Sequence, residues 1–443
     1  MHDLPTPTDA SASELLVDNA PYLRAVTDLA DKCRVVTRGA IYSHSGIKLV
    51  DQGTRIDSRL YERLVQHKLR EPIDTHLVAE DMVDHAALVA AGRGVAQQPL
   101  TQLLVRALGS PARLLAPLPL IPLPAPLAFR LTVMREQRPD LYQHSLQMMM
   151  VAVFLGVQSG MDERGCVPLA TAALLHDVGV LHMEPAWQDP LHKVVGAGRK
   201  HLVAHPVTAM LVLRAAQVYP RPVELAVLEH HERMDGTGYP RGLQGADISP
   251  LGRILLLAEV VAAFYEKYPD MPAQQLSLML RLNHRKFPSD LVAHVLPLLQ
   301  QPAHAADRAD RGAGLEPVGA DAARHIEALA SAFGQWERAK GALPGLSPSD
   351  ADSALAFVEG RLRALQKVLV EAGAHPDQQS QWLEPLQGDT AGLAEVAFVG
   401  REALWQLKTI VNASQRRWPA VMERQHPADA AVADWCDWVT QRL

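Results

Sequence analysis

The chain is 443 residues long, enough for two or three domains at roughly 100–200 residues each. With 43 Lys and Arg against 49 Asp and Glu its formal charge is −6, which argues against a general nucleic-acid or anionic-membrane binder. Three scattered cysteines, none in a CxxC pair, exclude a disulfide framework and a cysteine-based zinc site, and a 5% aromatic share leaves no base-stacking platform. The start, MHDLPTPTDASASELL, lacks a basic segment followed by an apolar one, so no signal peptide is expected and a cytoplasmic protein is.

Residues 1–30 read as a polar lead. Residues 34–56 carry short β-branched runs around Ser45-Gly46 and predict a small hairpin. Asp57 can cap a helix running to about Arg70, with Leu60, Leu64 and His67 on one face. A second helical stretch is expected over about Thr75–Leu108. The apolar run Leu114–Phe129 holds Pro117, Pro119, Pro122, Pro124 and Pro126. It is shorter than the ~20 residues a bilayer span needs, and reads as an extended connector.

From Leu127 to Leu299 the pattern is helical throughout. Leu146, Met149, Met150 and Val153 fall at helical spacing, as do Leu251, Ile254, Leu255 and Ala258. Met148–Met150 read as core filler. Gln301–Ala320 reads as a linker. Beyond it Ser347-Pro348 is placed to start a helix. Two apolar stripes follow: Leu355, Val358, Leu362, Leu365, Leu369, and Leu393, Val396, Gly400, Leu404, Leu407, Val411. The predicted class is mainly α. A small N-terminal region with a hairpin (1–126) precedes a helical metal-binding domain (127–299), a linker (300–321) and a C-terminal helical bundle (322–443). That bundle suits docking of protein partners or of a second copy.

The chemistry concentrates in the centre, where histidines bunch: Asp140 and His144, His176-Asp177, His205-Pro206, His230-His231 and Glu259. Imidazole and carboxylate are ligands for iron, manganese and zinc. Neighbours on a helix point about 100° apart, so adjacent ligands tend to serve different ions. The carboxylate of Asp177 can bridge while His176 caps, and His230 and His231 can diverge. Asp140 and His144, four apart, share a helix face. In two-metal sites the ions lie ~3.5–4 Å apart, clamp a phosphoryl group and activate water. His182, His192 and His201 are left as surface residues.

His176-Asp177-Val-Gly179, followed by His230-His231-Glu-Arg-Met-Asp235-Gly-Thr-Gly238-Tyr239-Pro240, resembles the HD-GYP family. This is a branch of the HD phosphohydrolases, typically bacterial phosphodiesterases acting on the signalling molecule cyclic di-GMP. The resemblance spans residues 127–299. It implies a helical domain with two or three divalent ions, iron or manganese, held by His144, His176, Asp177, His205, His230, His231 and Glu259. Asp140 stands where some members place an extra acidic ligand. It also implies Asp177 as the catalytic residue and Gly238, Tyr239, Pro240 and Arg241 as substrate-binding, with a cyclic dinucleotide as substrate or ligand.

Three departures stand out. Val180 replaces the family's lysine, Glu259 its aspartate, and Tyr268 and Met271 its downstream arginines, for which Lys267 or Arg241 could substitute. At roughly 1.5–3 kcal/mol per hydrogen bond to a charged group, losing these contacts lowers turnover. The alternatives to a cyclic di-GMP phosphodiesterase are therefore a catalytically impaired module acting by ligand or protein binding, and hydrolysis of another phosphoester.

Overall fold

The computed structural model describes residues 18–184, 197–268, 272–299, 315–341, 353–371, 375–379 and 390–442. The chain divides into two compact units, Met1–Asp270 with Arg285–Leu298, and Met271–His284 with Leu299–Leu443. Both are mainly α, as the hydrophobic periodicity predicts. Among the described residues no helix is long and apolar enough to cross a membrane.

The first unit opens with α1 (Ala20–Lys32) and four short strands: β1 (Val35–Thr37), β2 (Ile41–Tyr42), β3 (Lys48–Val50) and β4 (Leu77–Ala79). The hairpin forms where the sequence places it. β2 pairs antiparallel with β3, and Gly46 turns the chain at φ 84°, a left-handed conformation that glycine adopts without penalty. Asp57 caps as expected, accepting from the Arg59 N–H at 3.1 Å, but the helix ends at Val65. The backbone beyond is taken by the hairpin: the Lys68 carbonyl accepts from His44 N–H at 2.8 Å and Arg70 N–H donates to the Tyr42 carbonyl at 3.0 Å. Leu64 is buried; Leu60 and His67 are half-buried.

The expected helix over 75–108 is divided. Leu77–Ala79 is instead β4, with Val35 opposite Ala79. α2 (His85–Val95) begins at Asp84, whose carboxylate accepts from the Ala87 N–H at 2.7 Å. Pro99, which lacks an N–H, then opens α3 (Pro99–Leu108). The proline-rich run is also not extended. It forms two short helical turns, Ala112–Leu115 and Leu118–Leu120, and then starts α4 (Ala125–Gln137). Its prolines fall before or within first turns, where their missing donors cost little.

The core of this unit is α5 (Pro139–Gln158). Met148–Met150 are fully buried, and apolar residues face every side of the helix's middle. α6 (Cys166–Leu175) and α9 (Pro250–Lys267) pack on α5, and α8 (Arg221–Glu229) packs on α6, α9 and α7 (Ala197–Ala216). After α6 a 3₁₀ turn, Val178–His182, runs against α7. The approach is close: a Cβ on Gly179 would lie 2.3 Å from the His205 carbonyl oxygen.

In the second unit α10 (Pro272–Leu282), α12 (Leu315–Gly341), α13 (Ala354–Glu371), α14 (Thr390–Arg417) and α15 (Pro427–Arg442) form a bundle; α11 (Ser289–Leu299) lies almost wholly in the first unit. Val358, Leu362, Leu365 and Leu369 are buried with Leu407 and Val411, while Leu355 and Leu404 are partly buried. Trp336 and Trp435 meet edge to face in this core, with ring centroids 5.6 Å apart. Gly400 lets α14 approach α12, since a Cβ there would lie 2.6 Å from that of His325. The predicted linker is shortened, because α12 already begins at Leu315. Most of the polar lead, residues 301–314, Ser347-Pro348, His192, Met271 and the side chains of His201 and Leu393 lie outside the described residues.

Candidate metal centre

Two histidines are fixed the same way. His176 and His230 sit at the C-terminal ends of α6 and α8, and each Nδ1–H donates to the carbonyl three residues back, Ala173 at 2.8 Å and Val227 at 2.6 Å. Each Nε2 is thereby left with its lone pair turned into the unit's interior. Asp177 lies between them. Its Oδ2 is 3.3 Å from His176 Nε2, and its Oδ1 is 3.2 Å from His205 Nε2 and 3.7 Å from His230 Nε2. From α9, Glu259 Oε2 lies 2.9 Å from His144 Nε2 and 3.5 Å from His176 Nε2. The His231 ring is 4.1 Å from that of His230.

The side chains fall into two donor groups, Asp177, His205, His230 and His231, and His144, His176 and Glu259; within each, the ligand atoms all lie within 4.8 Å of one another. His176 Nε2 and Asp177 Oδ1 are buried with no hydrogen-bond partner among the described residues, and the Nε2 atoms of His205 and His230 face each other at 3.4 Å. Convergent lone pairs on imidazole and carboxylate, unsatisfied by the protein itself, fit divalent cations.

Burial alone would raise both carboxyls. The neighbouring His176 and His205 instead hold Asp177 well below the usual carboxylate range, and His144 and His176 do the same for Glu259. Burial and His176 push His230 down to about 3; burial, His230 and His205 push His231 down as well. Both carboxylates are thus ionised and both of these imidazoles neutral, the forms that bind a cation; against burial, the same carboxylates raise His176 to about 9 and hold His144 up as well, so these two imidazoles must release a proton when a cation binds.

The turn after α8 is built around two buried acids. Glu232 accepts from the backbone N–H groups of Arg241 at 2.7 Å, Gly242 at 3.2 Å and Leu243 at 2.9 Å. Glu229 accepts from Ser249 N–H at 2.8 Å and from the Arg241 guanidinium. Gly238 is required by close approach, because a Cβ would lie 2.2 Å from the Arg233 backbone nitrogen. The Tyr239-Pro240 peptide is cis, and the Tyr239 ring stacks on His231 at 4.6 Å.

Residues 131–287 match the HD domain family. The chain carries an HD domain of the HD-GYP family. A 3'3'-cGAMP-specific phosphodiesterase of Vibrio cholerae is 30% identical over 139 residues, 31% of this chain and 30% of that protein. A cyclic di-GMP phosphodiesterase of Borreliella burgdorferi is 28% identical over 120 residues, 27% of this chain and 31% of that protein. The chain thus spans about a third of the length of these relatives. An HDG"Y"P protein from Bdellovibrio bacteriovorus aligns over 61% of this chain and 94% of its own, with 15% identity and a TM-score of 0.35.

Within this HD-GYP domain, seven of the eight anticipated ligands converge. Asp140 does not join them: its side chain is 72% exposed and lies 3.5 Å from Arg138. It occupies the first turn of α5, where a carboxylate complements the helix dipole and faces water. Arg241, anticipated at substrate, has its guanidinium on buried Glu229. Lys267 Nζ lies 5.4 Å from the Tyr268 ring centroid. Val180 is buried, so an apolar side chain packs where the family has lysine.

His182 is not at the surface but buried, its Nε2 2.8 Å from Arg130 Nη1. Three acids in the HD-GYP domain escape sequence reasoning: Glu229, Glu232 and Glu266. For Glu232 a signal existed, since a run of glycines leaves bare N–H groups that want an acceptor. Glu266 lies 122 residues from His144, whose Nδ1 it meets at 3.0 Å, and nothing local announces it.

Proposed function

We propose that this chain is a metal-dependent phosphodiesterase of cyclic dinucleotides, with cyclic di-GMP in bacterial signalling as its substrate. The observation that carries the reading is Asp177, whose two oxygens face different donor groups, one toward His176 and the other toward His205 and His230. Two divalent ions, iron or manganese, held by the two groups would activate water and offset charge on a phosphoryl oxygen. The chain's own residues do the rest. Ionised Asp177 and Glu259 supply the negative charge that holds cations. The carbonyls of Ala173 and Val227 keep His176 and His230 in the ligating tautomer. Glu232 fixes the turn, so that Gly238, Tyr239 and Pro240 form a preorganised wall beside His231. The relatives named above as cyclic dinucleotide phosphodiesterases support the substrate class.

A second reading, a module that binds ligand or protein but turns over poorly, is favoured by buried Val180 and by the engagement of Arg241 with Glu229. Protein loaded anaerobically with iron or manganese separates the two when assayed with cyclic di-GMP, 3'3'-cGAMP and the linear dinucleotide. Turnover lost in Asp177→Ala is expected. Bound ion with no hydrolysis of any of the three would establish the binding module instead, and a gain of turnover in Val180→Lys would trace the defect to the missing ammonium.

A further inference from the structure

His144 is the one imidazole of the second donor group that its own helix end cannot fix. His176 and His230 use backbone carbonyls freed at helix termini, but His144 lies inside α5, where the carbonyls of the preceding turn are already engaged in the helix. Its Nδ1–H must find an acceptor elsewhere. Glu266 supplies it, with both carboxylate oxygens 3.0 Å from Nδ1. Glu259 and Glu266 are seven residues apart on α9, about two turns at ~3.6 residues per turn, and so share one face of that helix. The ring of His144 is therefore gripped at both nitrogens by a single helix, Glu259 at Nε2 and Glu266 at Nδ1.

We infer that Glu266 is a positioning residue, which orients His144 and strengthens it as a donor for the cation held with His176 and Glu259. The inference rests on the metal-dependent reading above. A carboxylate behind an imidazole fixes its tautomer and ring angle and raises its basicity, and such partners typically contribute 10–100-fold to metal affinity. His230, in the other donor group, has only a neutral carbonyl behind it. The two ion positions should accordingly differ in affinity, and they should differ through a residue that touches no ion.

The test is manganese content and affinity, measured by equilibrium dialysis against graded chelator and by manganese EPR, for wild type, Glu266→Gln, Glu266→Ala, His144→Ala and the double variant. Glu266→Ala should weaken one ion about 10–100-fold and leave the other unchanged. Glu266→Gln, which keeps an acceptor without the charge, should fall between. In the His144→Ala background the same change should add nothing. Unchanged affinity for both ions in Glu266→Ala would overturn the inference while sparing the metal centre. So would equal weakening of both ions alongside a fall in melting temperature, the mark of a merely structural role. Wild type that takes up neither manganese nor, under anaerobic loading, ferrous iron would overturn the metal-dependent reading and the inference together.

Discussion

The first unit buries two polar clusters, and they are built on opposite principles. In one, Arg130 lies at the centre of groups that complement it. Its Nε pairs with Asp74, its Nη1 meets His182, its guanidinium stacks over Tyr22 at 4.4 Å, and Asp18 lies 3.9 Å away. His182 is held neutral, pushed down by burial and by Arg130, and so accepts rather than repels. In the other, imidazole and carboxylate lone pairs converge on one another. Each cluster leaves two buried atoms without a hydrogen-bond partner among the described residues, Arg130 Nη2 and Asp18 Oδ1 in the first, His176 Nε2 and Asp177 Oδ1 in the second. What separates them is the central charge: the first has its own cation, Arg130, among acids, whereas the second gathers ligand atoms around a place that an added cation would fill. Burial alone does not separate the two, since Arg130 and His176 are equally hidden.

The largest expected effect tests that contrast directly. Arg130→Met leaves Asp18 and Asp74 buried without their cation and should cost about 3–5 kcal/mol in urea unfolding. In metal-free protein His230→Leu should cost under about 1.5 kcal/mol or stabilise, because its buried Nε2 faces a second imidazole nitrogen, that of His205 at 3.4 Å, and gains little from it. Equal losses would dissolve the distinction.

A smaller effect sharpens it through pH. Burial and Asp74, opposed by Arg130 and the Ile73 N–H, raise the Asp18 carboxyl to about 7. With its folded value above the unfolded one, near 3.8, the folded state holds more protons between the two. Stability therefore falls as pH rises through that window, by up to about 1.4 kcal/mol per unit, and is flat above it. Asp18→Asn should lack this decline, so its melting temperature should gain on wild type from about pH 4 to 7. A constant gap would show that Asp18 is ionised throughout.

The smallest effect concerns the carboxylate that stayed outside. Asp140→Asn should change neither ion uptake nor, beyond about 0.5 kcal/mol, stability. Loss of an ion would bring Asp140 back into the centre.

Much of the centre was legible because its residues travel in adjacent pairs and one long string. His176-Asp177, His230-His231 and the glycine-rich run to Pro240 carry their own context, and the leucine stripes of the second unit carry theirs through helical period. What failed was long-range. Helical spacing alone cannot say whether Asp140 faces the interior or water. The period-2 signal of Leu77–Ala79 is three residues long and becomes a strand only because β1 lies beside it. His182 looks like any surface histidine until Arg130, 52 residues earlier, is folded against it. Glu266 is one acid among many in a helix. Prolines misled in another way: read as breakers of Leu114–Phe129, they open the turn Leu118–Leu120 and the helix α4.

Gly179 has a wider reach than its size suggests. Asp177 is two residues away in sequence, and His205 offers its carbonyl to the place where a Cβ would stand. An alanine there would have to open that gap from 2.3 Å to at least 3.0 Å, and α7 or the 3₁₀ turn would move to allow it. The spacing of two donors is thus gauged by the absence of one carbon, and a methyl group would act as a wedge, detuning the centre without replacing any atom that could grip an ion.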